Sequence, residues 1–412
     1  MSTVTTTTSL GEHELALRER ARQVIPGGMY GHMSVQAFSA AHPQFMASGE
    51  GCRVTDADGR TYLDLMCGWG PVVLGHRHPG VTAAVLDQLD RGDCLDGTSP
   101  VAVEFAELLV DTIPSADWAM FCKNGSDATT TCVTIARAAT GKRKVLVAHG
   151  AYHGAVPWCS LRGSGVTAED QAHLVHYEYN DLASAEAAAA EAGDDLAAIV
   201  VCPMRHDIKR DQELVDPAFA RGLRALADRT GAVLVLDDVR CGFRLDLGGS
   251  WEPLGVRPDL SAWSKAIANG QALGAVTGVD ALRDAVRTIY VTGSFWTAAV
   301  PLAAGLATLT ELRKGVALPD MARTGARLRD GLAAQAAAHG FEINQTGPVQ
   351  MPMLSFAGDE GFRLVTAFAE AAVRRGVYLH PWHNWFLSAA HTDADIDEIL
   401  ARTDDAFAAV RG

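Results

Sequence analysis

Leu234-Val-Leu-Asp-Asp-Val-Arg-Cys-Gly-Phe-Arg244 and, one crossover later, Ser261-Ala-Trp-Ser-Lys-Ala-Ile267 decide how this chain folds. The first stretch is an apolar run that stops at two aspartates. It reads as a buried strand whose carboxyl end carries acids. The second reads as a short strand with one lysine among apolar and small residues. Asp237 and Lys265 lie 28 residues apart, enough for a crossover between neighbouring strands. A buried lysine facing a buried carboxylate is costly unless something sits between them. Either the two form a structural ion pair, or they flank a bound group.

Composition sets the frame. The chain has 412 residues, 48% hydrophobic and 20% charged. That is enough apolar material for one large core and a smaller one. A net charge of −14 and the absence of basic runs argue against nucleic acid or an anionic membrane surface as partner. No apolar run reaches the ~18 residues of a membrane span. The threonine-rich start, residues 1–10, has neither a basic region nor an apolar one, so it reads as a disordered tail and not as a secretory signal. None of the eight cysteines forms a C-x-x-C pair. They read as free thiols in a reducing cytoplasm.

Helical spacing is expected over 12–24, 80–91, 101–113, 126–140, 182–192 and 217–229, and later over 299–315, 319–339, 359–376 and 393–411. A hairpin is expected over 52–65, turning at Asp58-Gly59. Strands are expected at 144–148, 197–202, 234–237, 261–264, 274–279, 351–356 and 377–379. Strands alternating with helices imply an α/β fold with a large, mostly parallel mixed sheet and helices on both faces, plus a smaller α+β domain. The expected division is an N-terminal segment, 1–62, contributing to the small domain; a large domain, 63–312; and a C-terminal small domain, 313–412. Ligands of such sheets sit at the carboxyl ends of strands, where Asp237 and Asp238 fall.

Three further stretches carry chemistry. Phe121-Cys-Lys-Asn-Gly-Ser-Asp127 opens a helix. Gly125 and Ser126 make either a phosphate cup or, with Asn124, an ordinary N-cap. Tyr152, after the strand at 144–148, either stacks on a planar ligand or is a loop aromatic. Thr292-Gly-Ser-Phe-Trp-Thr297 is a second phosphate contact or another cap. His76-x-His78 and His380-Pro-Trp-His383 lack a nearby acid pair or cysteine, so no metal is expected. Pyridoxal phosphate (PLP) would satisfy the opening pair: its aldehyde takes a lysine as Schiff base and its ring nitrogen takes an aspartate. No dinucleotide, Walker or G-x-S-x-G signature competes.

Taken together, Ile25-Pro-Gly-Gly28, Asp56-Ala-Asp-Gly59, Gly68-Trp-Gly-Pro-Val-Val-Leu-Gly-His76, Asn124-Gly-Ser-Asp-Ala128, Tyr152-His-Gly154, Leu236-Asp-Asp-Val239, Ser264-Lys265 and Phe386-Leu-Ser-Ala-Ala-His-Thr-Asp393 resemble the class III (omega) aminotransferases of PLP fold type I. Within them the chain is most similar to the glutamate-1-semialdehyde aminomutase-like branch, from about residue 15 to the C-terminus. The resemblance implies PLP on Lys265, Asp237 at the pyridine nitrogen, Val239 and Tyr152 against the ring faces, and Gly125 and Ser126 on the phosphate. It also implies a homodimer with active sites at the interface, Ser294 standing where the family's partner-chain threonine stands. The implied activity moves an amino group between an amine or amino acid and an oxo acid, with pyridoxamine phosphate as intermediate. An aminomutase, a racemase or epimerase, and a catalytically silent relative are the alternatives.

Departures fall on the substrate side. Gln36 replaces the branch's carboxylate-clamping arginine. Cys202-Pro203 replaces Glu-Pro and is followed by Met204-Arg-His-Asp207, and Trp296-Thr-Ala-Ala299 replaces Gly-Asn-Pro. This speaks against glutamate-1-semialdehyde as substrate. Substrate contacts are sought among Tyr30, Gln36, Trp69, Arg205, His206 and His383. Arg205 is either a carboxylate clamp, since a guanidinium suits that group, or an ion-pair partner.

Overall fold

The structure, a computed structural model, describes residues 10–411. The threonine-rich start lies outside them, apart from Leu10. The chain divides into two compact units.

The larger unit comprises Pro79–Asp207 and Glu213–Leu318. Its centre is a seven-stranded sheet of β1 (Trp118–Cys122), β2 (Lys144–Ala148), β3 (Leu174–Tyr177), β4 (Leu196–Val201), β5 (Val233–Asp237), β6 (Leu260–Trp263) and β7 (Gly274–Gly278). The order across the sheet is β1-β7-β6-β5-β4-β2-β3. Strand β7 runs antiparallel to both β1 and β6, and the remaining pairs are parallel. The carboxyl ends of β1, β2, β4, β5 and β6 therefore share one edge of the sheet.

Every residue of β4, β5, β6 and β7 is buried. Apolar side chains alternate between two cores, as the two-residue period of a strand demands. Leu146, Ile199, Val201, Leu234 and Leu236 join one core with Leu223 and Ala185. Val145, Ala198, Val200, Val233 and Val235 join the other with Cys132 and Ile135. The second of these is covered by the helix Gly125–Thr140, which ends at Gly141 in the left-handed conformation (φ 68°).

Strands β1 and β3 are absent from the strands that the sequence pattern predicts. Both are edges, and their burial is broken, whereas β4, β5, β6 and β7 are buried throughout.

The smaller unit runs to His78, takes in Ile208–Gln212, and resumes at Pro319. Met46–Glu50, Arg53–Asp56, Thr61–Asp64 and Val377–Tyr378 form its four-stranded sheet. The expected hairpin at Asp58-Gly59 is present, and Val377–Tyr378 pairs in parallel with its second strand. That pairing keeps residues 63–78 with this unit, where the sequence pattern assigns them to the large domain. Phe356, Phe368 and Phe407 centre the core, Phe368 and Phe407 with ring centroids 4.5 Å apart. No helix among the described residues is long and apolar enough to cross a membrane. All eight cysteines are free, and only Cys94 is exposed.

Candidate active site

Five strand ends of the large unit meet at one cavity of about 250 Å³. From the end of β1 come Asn124, Gly125 and Ser126; from β2, Tyr152, His153 and Gly154; from β4, His206; from β5, Asp237, Val239 and Arg240; from β6, Ser264 and Lys265. Asp237 pairs in register with Ala262, so Lys265 follows β6 at the same edge of the sheet.

The turn after β1 resolves the choice between cap and cup. Asn124 is the N-cap: its side-chain oxygen accepts from the Asp127 N–H at 2.9 Å. Ser126 is thus released from capping, and its hydroxyl accepts from the Ala155 N–H at 3.2 Å. A Cβ on Gly125 would come within 2.7 Å of Val239 Cγ1, and one on Gly154 (φ 132°) within 2.6 Å of Ser126 Oγ. Only glycines let these three strand ends close together. The first-turn N–H groups at the start of a helix make an anion site with the helix dipole behind it.

The two aspartates part company. Asp237 is 5% exposed and its Oδ2 accepts from His153 Nδ1 at 2.7 Å. The Cys202 thiol lies 3.8 Å from the same nitrogen. Among the described residues, His153, Cys202 and Asp237 are the three whose donor atoms come close enough together to hold a metal, but their geometry is spent on this hydrogen bond. Asp238 accepts from the Ser250 N–H and hydroxyl at 2.8 and 2.5 Å, and burial pushes its pKa up to about 7. Its work is to hold a loop.

Lys265 stands at φ 51°, a left-handed conformation that costs an L-residue about 1 kcal/mol. Burial, and next the positive charge of Arg240, push its amine down to about 7, against an opposing pull from Asp237. A buried amine that gives up its proton easily, a carboxylate held by a histidine, and an N–H cradle at a helix start fit PLP at its aldehyde, ring nitrogen and phosphate.

A family model, aminotransferase class-III, matches residues 36–407. The chain belongs to the class-III aminotransferases. It is a PLP-dependent aminotransferase of mixed α/β fold. The aminopentol aminotransferase of Sphingopyxis macrogoltabida is 48% identical over 97% of this chain and 95% of its own length. The glutamate-1-semialdehyde 2,1-aminomutase of Chloroflexus aurantiacus is 34% identical, over 99% of this chain and 98% of its own. Among solved structures, the PLP internal aldimine form of the FumI protein of Sphingopyxis sp. MTA144 superposes with a TM-score of 0.96 at 48% identity, covering 97% of each chain. An omega-transaminase from Sphaerobacter thermophilus gives 0.89 at 26% identity, with 98% of each chain covered.

The site residues expected from the sequence of this class-III aminotransferase thus distribute unevenly. Gly125, Ser126, Tyr152, His206, Asp237, Val239 and Lys265 line one cavity. Ser294 does not line it and is exposed, in the loop before the helix Ala299–Leu312. Arg205 is committed elsewhere, donating to Asp207 at 2.8 Å and to the His149 carbonyl at 3.2 Å. The remaining candidates belong to the smaller unit. Tyr30 is 71% exposed. Gln36 closes its own loop by donating to the Gly27 carbonyl. Trp69 meets His32, His380 and His383 edge to face, with centroids 5.1, 5.1 and 5.0 Å away. His76 donates to Asp64 at 2.8 Å, and His380 and His383 both pack against Trp69.

Two cavity residues, His153 and Arg240, are not among those that the sequence singles out. Each adjoins one that is, Tyr152 and Val239. Their signal is position alone: a polar side chain just past the carboxyl end of a buried strand.

Proposed function

We propose that Lys265 carries PLP and serves as the proton carrier of the transamination, with Asp237 as the ring-nitrogen partner. The observation that carries this reading is the meeting of a buried lysine, its pKa lowered by that burial, with the Asp237–His153 pair in one cavity. PLP, when bound, supplies an aldehyde that condenses with amines and a ring that accepts the electron pair left by a departing proton.

The chain's residues do the rest. Uncharged Lys265 Nζ takes the proton from the donor carbon that bears the amino group, and later returns it. Asp237, acceptor-only as a carboxylate, favours a protonated ring nitrogen, and His153 Nδ1 donates to it and fixes its orientation. Gly125 and Ser126 hold the phosphate by N–H and hydroxyl. Val239 and Tyr152 confine the ring.

The 48% identity to an aminopentol aminotransferase supports an amine donor of that kind, with an oxo acid as acceptor. A homodimer is also proposed, in which the partner subunit's Ser294 reaches the phosphate. The exposure of Ser294, and of Tyr290 and Phe295 on the same loop (92% and 63%), supports it. The free, mostly buried cysteines support a reducing compartment, the cytoplasm.

The test is the visible spectrum of purified protein before and after addition of aminopentol and a panel of amino acids. Bleaching of the PLP band, with recovery on adding an oxo acid, is expected. A band that never bleaches, with solvent deuterium entering the amino acid, would instead mark a racemase.

A further inference from the structure

The proposed cofactor contacts leave one cavity histidine unassigned. His206 lines the cavity with Lys265 and Asp237, and it lies in Met204-Arg-His-Asp207, where the chain departs from the family pattern. It is 8% exposed, yet its buried Nδ1 has no hydrogen-bond partner. The arginines around it are committed. Arg205 donates to Asp207 and to the His149 carbonyl, and Arg240 Nη1 approaches the His206 carbonyl at 3.5 Å. A polar atom desolvated in this way is costly unless a ligand group completes it.

The charge of the ring selects the group that suits it. Burial, and next the positive charges of Arg240 and Lys265, push the His206 pKa well below the ordinary histidine value, so the ring is neutral at pH 7. A neutral imidazole has one donor nitrogen and one acceptor nitrogen. A carboxylate could only accept from it. An ammonium could only donate, and would add to the cations already beside the ring. A hydroxyl does either, whichever tautomer the ring takes, and brings no charge to desolvate. Lys265 works on the carbon that bears the amino group, and it shares with His206 one cavity of about 250 Å³. A group that meets His206 therefore belongs close to that carbon.

We propose that His206 is the hydroxyl-recognising residue of this enzyme, so that its amine donor is an amino alcohol, with a hydroxyl close to the amino-bearing carbon. The imidazole makes one hydrogen bond with that hydroxyl, and an amine without it leaves a buried ring nitrogen unpaired. This assignment names a donor class for the site and rests on the reading of Lys265 and Asp237 as the PLP site.

The experiment uses two stable probes, the borohydride-reduced adducts of PLP with 3-aminobutan-2-ol and with 2-aminobutane, each in all its stereoisomers. The two amines differ by one hydroxyl. Calorimetry measures their binding to the PLP-free protein as wild type, His206→Phe and His206→Asn. Wild type should bind the best hydroxylated adduct about tenfold tighter than the best adduct without the hydroxyl. His206→Phe should bind the two alike, and His206→Asn, whose amide still donates and accepts, should keep part of the preference. With PLP-loaded enzyme, kcat/KM for 3-aminobutan-2-ol relative to 2-aminobutane should fall about tenfold in His206→Phe. If that variant does not fold, His206→Leu carries both comparisons. Adducts bound within about twofold of each other by wild type overturn the proposal, and so does a preference that survives in the folded variant. Equal loss of both adducts in His206→Phe also overturns it, because the imidazole would then be meeting the cofactor. Failure of the PLP reading itself looks different: neither adduct would bind wild type.

Discussion

Lys265 combines two unfavourable states, a left-handed backbone and a desolvated amine. Both point to selection for reactivity over stability. Because its folded pKa lies near 7, well below the usual lysine value, the amine is neutral above that pH and charged below it. Capture of PLP by the PLP-free protein should therefore accelerate with pH up to about 7 and then level off, as followed by stopped-flow absorbance. Lys265→Ala should abolish the PLP band and turnover. The neighbouring positioning residue gives a subtler outcome. His153→Phe removes the donor to Asp237, and kcat should fall about tenfold or more while the PLP band survives. Rescue by His153→Asn, whose amide can still donate, would separate this role from simple packing. The sequence points to Lys265 and Asp237 because charge inside an apolar run is conspicuous. His153 and Arg240 lie in loops where polar residues are ordinary, and only the folded sheet edge gives them meaning.

At the scale of elements, the helix Gly125–Thr140 does two jobs with adjacent residues: Asn124 caps it, and Gly125 and Ser126 face the cavity. The two are separable. Asn124→Ala should lower stability by about 1 kcal/mol in denaturant unfolding. Gly125→Ala places a methyl against Val239 Cγ1 and should weaken PLP binding, measured by equilibrium titration. Pairing it with Val239→Ala removes the colliding atom and should restore part of that affinity. The inner strands and most helices are readable from period and composition, because residues buried on both faces leave long apolar runs. The edges β1 and β3 are not, since half-exposed strands of four or five residues look like loops.

For the whole molecule, acid should be the weak side. Burial depresses His42 to about 4 and His380 to about 3, both in the smaller unit. His42 is held in place by Ser39 at 2.8 Å and the Leu379 carbonyl at 3.0 Å. Below the ordinary histidine value near 6.5 the unfolded chain takes protons that the folded chain refuses. Stability is thus full above that pH and falls as pH drops toward 4, by about 1.4 kcal/mol per pH unit for each histidine. Urea midpoints at pH 7, 6 and 5 check this, and His42→Gln should flatten the slope. A pH-independent midpoint would mean that these histidines titrate normally.

The aspartate doublet at the end of β5 also constrains how this sequence can change. Side chains of a strand alternate in direction, so Asp237 meets His153 while Asp238 meets Ser250. Losing one residue from 233–236 would do more than shorten a strand. It would turn the whole ladder over by one step, send core valines and leucines to the opposite faces, and offer the cavity the aspartate that keeps its proton near neutrality. Lineages of this enzyme should therefore tolerate insertions in the loops beyond the strand ends, where substrates are told apart, and tolerate none within β5.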